Sequence, residues 1–513
     1  MDGFMTTEIW GRLLAVWLRR CLVGLSHTAV LTSLPAHAAV STNWSAESPL
    51  PHQVAGSHCA GSVGNNMVVT SSGRLYVFYS ETISGSTQLK FATTDDRGLS
   101  WSSPQLFRPY DPMPPGSVGA PSVSVDSNDV IHCAWRTPEP ALYYARYDTH
   151  TDTWSHQQVV TSTPRFDNVS YSQVMADRAG RVHLFWHDGN HENTSTPAEV
   201  WYAQIPPGTT NFSTPVMLSA DDGQHSAFPT ADLSGVTGNL IAIAWRNAIS
   251  GAGTPAANWD IQLRVSPDGG TTWLPIQTAA GGSWREWDPQ LAVDRHGVLH
   301  LAYHQYDPSL NSWVYIGHSN DAGTNWHQHA GATGFQRVTP DGEYHLLSKS
   351  AYDFAHDIVW FFWKRQYRPG EDILGTWVLR RGQHIETGYE YLTDLAPTNA
   401  AGFHNFAVGA DGVVRASYQI GAGNPNTQAT IYYRDRLLPP PLAVALTNPT
   451  LTNGTLQTNF DSEFAVSYQP EISTNLTTWT HSGTATNGTG EAMTIHVPVG
   501  DAPHLILRLR CSR

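Results

Sequence analysis

Along most of the chain, apolar and polar side chains alternate in short runs broken by Gly, Pro, Asn or Asp, which predicts strands and turns rather than helices. One phrase recurs. PSVSVDSNDVIHCAW (121–135), QVMADRAGRVHLFW (173–186) and PQLAVDRHGVLHLAY (289–303) each read as strand, Asp- or Gly-containing turn, strand, with an aromatic residue near the end. Weaker copies lie at 68–79, 230–245, 348–363 and 406–418, and a third strand follows, as in ALYYARY, EVWYAQI, IQLRVS or WVYIGHS. Four antiparallel strands in a unit of roughly 50 residues, repeated about seven times, predict an all-β, six- or seven-bladed β-propeller. The units start near residues 60, 117, 168, 223, 286, 343 and 402, and the segment near 51–54 is expected to supply the strand that the last unit lacks.

A second phrase closes some units: TDDRGLSW (94–101), SPDGGTTW (266–273) and SNDAGTNW (319–326). In such a turn the Asp carboxylate accepts backbone amides, Gly takes a conformation costly for other residues, and the hydroxyl residue ties off what remains. This pattern resembles the Asp box, or BNR repeat, of the sialidase-like propellers, with Asp96, Asp268 and Asp321 in the Asp position and Asn325 replacing the usual hydroxyl. The resemblance covers about residues 60–437. It implies the fold rather than the chemistry, and it makes those three acids structural, because the turns lie on the face opposite the loops joining second and third strands.

Composition agrees with strands and adds constraints on partners. The 513 residues include 19 Trp and 20 Tyr, and the formal charge of −14 argues against nucleic acid or an anionic membrane as the main partner. Arg19 and Arg20, an interrupted apolar run over 21–34 and Ala36-His37-Ala38 read as a signal peptide over 1–38, so a secreted or periplasmic protein is expected, with no membrane span. Three cysteines, Cys59, Cys133 and Cys511, then remain and give no disulfide framework. The propeller is expected over 42–437, followed by a proline linker at 438–443 and a small β-sandwich-like module at 444–513. In that tail, YQPEISTNLTTW with a closing RLR resembles C-terminal modules of secreted proteins of the Verrucomicrobia type, which implies attachment to the cell surface. The expected state is a monomer.

Candidate chemistry sits where second strands end and first strands begin, since those positions converge on one face around the channel. They supply Arg136, His187, Asp188, Arg246, His304, Arg365 and Tyr418 from second strands, and Tyr171, Glu286 and Asp288 from the approach to first strands. Cations of this kind hold carboxylates or sulfates, and His, Tyr and acids supply acid, base or nucleophile, so the expected partner is an acidic oligo- or polysaccharide. Three readings follow. Resemblance to sialidases implies a glycoside hydrolase in which Arg246, Arg136 and Arg365 hold a carboxylate and Tyr418 is the nucleophile, although the F/Y-R-I-P motif of that family and its glutamate before Arg246 are missing. Ulvan lyases use similar propellers, which implies a polysaccharide lyase with His187, His304 or Tyr171 as base. The third reading is a glycan-binding propeller without catalysis. HDGNHEN (187–193) lacks the rigid spacing of a metal motif, and neither metal nor cofactor is expected.

Overall fold

The computed structural model describes residues 44–51, 64–83, 86–109, 121–136, 141–161, 172–189, 197–234, 238–250, 258–282, 284–307, 311–328, 331–339, 344–354, 357–366, 372–379, 385–386, 401–409, 411–421, 429–436, 446–462, 467–474, 477–488, 492–498 and 506–512. The expected signal peptide, the closing segment at 52–54, the proline linker and Tyr171 lie outside these residues. The chain divides into two compact units, one formed by 37–354 with 358–437 and one that contains 438–513.

The first unit is a seven-bladed propeller of antiparallel strands. Its innermost strands are Met67–Val69, Ser122–Val125, Gln173–Ala176, Ser226–Leu233, Arg285–Val293, Tyr344–Asp353 and Ala401–Val408, one for each of blades 1 to 7. Each pairs with a second strand that returns to the opposite face, among them Val182–His187 in blade 3, Ile241–Ser250 in blade 4, Leu299–Tyr306 in blade 5 and Ile358–Gln366 in blade 6. Seven blades settle the choice between six and seven. The strand that completes blade 7 is Ser48–Pro49, a few residues before the expected segment, and it pairs with Tyr432 and Tyr433 as the outermost strand. Pro49 is tolerated there because an edge strand can spare one donor.

Second strands are apolar on both faces because each is covered by a blade on either side. In blade 3, Leu184 and Trp186 pack on Ala134, Leu142 and Tyr144 of blade 2, whereas Phe185 packs with Ile241, Ile243 and Trp245 of blade 4. In blade 6, Trp360 and Phe362 face blade 7 while Phe361 and Trp363 face blade 5. A strand buried on both sides reads as a continuous apolar run rather than a clean alternation.

The innermost strands are also stitched to one another by side chains. Ser122 and Ser124 accept the amides of Val174 and Ala176, Gln173 bonds both backbone groups of Ala231, and an Asp232 oxygen accepts the Val293 amide at 2.8 Å. Lys349 and Asn405 both donate to the Gly64 carbonyl. Parallel neighbours around the axis have no regular ladder, so these bonds satisfy backbone groups that would otherwise face the channel unpaired.

The three turns that resemble Asp boxes share one geometry. Asp96, Asp268 and Asp321 each accept the amide four residues on, at 2.7–2.9 Å, and a side-chain donor of that same residue: Ser100, Thr272 or Asn325. The Asn325 amide reproduces the hydroxyl bond at 2.7 Å. These donors hold Asp96 and Asp321 down to about 2. The turn glycines also dock on the third strand of the preceding blade: Gly98 on Tyr433, Gly270 on Tyr202 and Gly323 on Leu263. The repeat therefore ties blade to blade.

The second unit holds two sheets. Thr447–Thr452, Thr455–Asp461 and Ala492–Pro498 form one, and Ser467–Ser473 pairs with Ile506–Ser512 and two short strands in the other. Both contribute to a core that includes Phe460, Tyr468, Val497 and Leu507. Cys133 is a buried free thiol, and Cys511 is buried in the core of the second unit. Among the described residues no helix is long and apolar enough to cross a membrane.

Candidate functional site

On the face where second strands end, the first strands of blades 4 and 5 are each interrupted by an X-Pro pair. Phe228-Pro229 and Asp288-Pro289 drop out of the ladder as bulges, a place where Pro is tolerated, with the register shifting between Ala227 and Thr230 and between Trp287 and Gln290; the first strands of blades 6 and 7 shift at the corresponding place without a proline. Phe228 and Asp288 carry φ of 56° and 45°, a left-handed conformation rare for residues with a side chain. The bulges aim both side chains at Arg246.

Arg246 is 1 % exposed, with its guanidinium carbon 3.8 Å from the Phe228 ring centroid, 4.1 Å from Trp287 and 4.8 Å from Trp259. The negative faces of three rings partly replace the hydration this cation has lost. Asp288 Oδ1 lies 4.0 Å from Arg246 Nη1. Burial raises Asp288 to about 6, while Arg246 and then Lys349 pull the other way. His304, also buried, falls to about 3, first through burial and then through repulsion by Arg246, so it is neutral at ordinary pH. Its ring packs edge-on against Tyr306 at 5.0 Å.

Glu286 is 1 % exposed; one carboxyl oxygen accepts Gln305 Nε2 at 2.7 Å, and the other has no hydrogen-bond partner among the described residues. Burial raises it to about 7, against the Gln305 bond, and Asp260 adds repulsion. Trp287, Gln305 and Tyr306 around it are only half-buried and form the exposed edge of the cluster.

His187 is fully buried, tilted against Phe228 at 5.5 Å, and Asp188 accepts the Glu199 amide at 2.9 Å. Glu199, which the sequence reading missed, is buried and raised to about 8, chiefly by desolvation, with Ser219 donating to it at 2.5 Å.

The structure thus brings Arg246, Asp288 and His304 together, with His187 joined through Phe228, while Glu286 lies beside them along the strand with Gln305 and Asp260 as its polar neighbours. Arg136 sits half-buried at the end of its strand in blade 2, and Arg365 is placed as a strand residue of blade 6 whose side chain is outside the described set. Tyr418 lies apart from these residues. It is fully buried in blade 7, across the ring from blade 4, its hydroxyl donates to Glu47, and burial pushes its phenol well above the usual range. Its ring shares a core cluster with Trp44, Phe362 and Phe406. The rings of Phe228, Trp259 and Trp287 were not singled out from sequence. A proline inside each first strand, in HSAFPTADL and REWDPQLAV, follows the two residues of left-handed conformation and was open to reading in the sequence. Among the described residues no group of three His, Cys, Asp or Glu is placed to hold a metal; 190–193 of HDGNHEN lie outside them.

The raised carboxylates fix the sign of a pH effect. Glu199, Glu286, Asp232 and Asp288, at about 8, 7, 7 and 6, all sit above their unfolded values, so between about pH 7 and 8 the folded chain holds protons that the unfolded one has released. Below about 6.5 His132, His183 and His304, all lowered chiefly by desolvation, act in the opposite sense, because the unfolded chain protonates them first. Stability is then expected to rise as pH falls from about 9 to about 7; melting temperatures over that range check this, and a fall toward about pH 7 contradicts it.

The unit formed by 37–354 with 358–437 is a seven-bladed β-propeller. No family model and no curated protein matches the chain. Solved structures with a similar fold include a PL25 ulvan lyase bound to -[GlcA(1-4)Rha3S]-, with a TM-score of 0.49 and 13 % identity, covering 74 % of this chain and 95 % of that one. Others are the GH93 α-L-arabinofuranosidase of Fusarium graminearum with arabinobiose (TM-score 0.38, 11 % identity, 63 % and 90 % covered) and a mutant NanB sialidase from Streptococcus pneumoniae (TM-score 0.38, 11 % identity, 76 % and 70 % covered). At these identities the likeness is one of fold.

Proposed function

We propose that the face over blades 4 and 5 is the active site of an exported glycoside hydrolase acting on acidic glycans. The observation that carries this reading is Glu286, a buried carboxyl raised to about 7 with one oxygen uncommitted, two residues from a second carboxyl, Asp288, that Arg246 and Lys349 favour as the carboxylate. Two acids pushed to different proton occupancies are what glycoside hydrolysis needs. Glu286 protonates the glycosidic oxygen as the bond to the anomeric carbon breaks. Asp288 takes a proton from the water that attacks that carbon. Arg246 offsets the charge of Asp288 and lends the pocket a positive field suited to a carboxylate or sulfate.

One observation favours a second reading. His304 is neutral and stands in the field of Arg246, as a lyase base beside a neutralised uronate would. The purified chain incubated with acidic polysaccharides separates the two: new reducing ends without ultraviolet absorbance support hydrolysis, whereas absorbance from unsaturated uronate supports elimination. Retention on these polymers with neither product overturns both and leaves a binding propeller.

A further inference from the structure

Next to Glu286 a tryptophan stands out of the surface. Trp284 is 37 % exposed and stacks on Trp313 with ring centroids 5.9 Å apart at 28°. Trp313 is 8 % exposed and lies directly opposite Gln305 in the strand register, and Gln305 is the residue whose amide holds Glu286. The exposed Arg337 guanidinium lies 5.5 Å from the Trp313 ring. A flat aromatic face, braced from behind by a second ring and flanked by a cation, thus continues outward over blade 5 from the carboxyl cluster.

From this continuity we infer that Trp284 is a subsite platform that stacks on a sugar ring one position along the chain from the bond over Glu286, with Arg337 beside an anionic substituent. The substrate is therefore a polymer or long oligosaccharide running over blade 5, not a single terminal sugar held in the channel mouth. The inference rests on the proposed site at Glu286 for its register, but the platform is testable by binding alone.

Affinity electrophoresis through gels containing polygalacturonate, alginate or chondroitin sulfate provides that test. Wild type should be retarded by at least one of these acidic polymers, and Trp284→Ala should weaken retention about tenfold, the loss typical of an exposed aromatic anchor. Trp284→Phe should keep part of it, and Arg337→Ala should matter at low salt and little at high salt. Melting temperatures near wild type show that Trp284→Ala is folded; if it is not, Trp284→Phe and Arg337→Ala carry the test. Retention of Trp284→Ala equal to wild type, or no retention of wild type on any of the three polymers, overturns the platform. Loss of retention in Trp284→Ala with no cleavage of any polymer by wild type sinks the hydrolase reading and leaves the platform standing.

Discussion

Glu286→Gln is expected to lower kcat on the polymer by about 10²–10⁴-fold, the contribution of a positioned general acid, while leaving retention on the same polymer unchanged. The amide matches the carboxyl in shape and still meets Gln305, so packing survives, but it has no proton to give. A substrate with a good leaving group needs little protonation, and on an aryl glycoside the loss should shrink. The wild-type pH profile follows from the same two groups. Activity should rise as Asp288 ionises near about 6 and fall as Glu286 loses its proton near about 7, a narrow bell whose alkaline limb disappears in Glu286→Gln. Equal losses on polymer and aryl glycoside, with the limb unchanged, would place the acid elsewhere.

Gly270→Ala should cost about 2–5 kcal/mol of stability, from a strained left-handed residue together with overpacking. Gly270 has φ of 85°, and a Cβ there would lie 1.9 Å from the Tyr202 hydroxyl. Tyr202 cannot easily yield. Its hydroxyl meets His183 Nδ1 at 2.9 Å, and the other nitrogen of that ring lies 3.2 Å from Asp177, which in turn binds Arg181 at 2.5 Å. Gly73 supplies the control, because it has nearly the same φ, 87°, with nothing within 4 Å of an added Cβ. Gly73→Ala should therefore cost only the backbone term, about 1 kcal/mol. Thermal unfolding of the two variants measures the difference; equal losses would mean that blade 3 gives way at no cost.

Several features of this protein were legible because their causes are local. Strand periodicity and turn chemistry act over a few residues, so the phrases at 121–135, 173–186 and 289–303 marked blades 2, 3 and 5 within a few residues of their observed starts. The Asp turns were readable for the same reason, down to Asn325 standing in for a hydroxyl. Repetition then fixed the architecture, since an incomplete last unit had to borrow a strand from elsewhere in the chain. What only the tertiary structure decided was which side chains share an enclosure. Phe228 and Arg246 of blade 4 meet Trp287 and Asp288 of blade 5 because two proline bulges break the alternation that assigns a residue to one face, and beyond a bulge the simple period no longer says where a side chain points. Tyr418 makes the same point: its place at the end of a second strand was legible, but its full burial and its bond to Glu47 of the N-terminal segment were not. Alternation fixes which residues are neighbours along a strand; burial, and with it the proton affinity of Glu286 and Asp288, depends on which blades close over them.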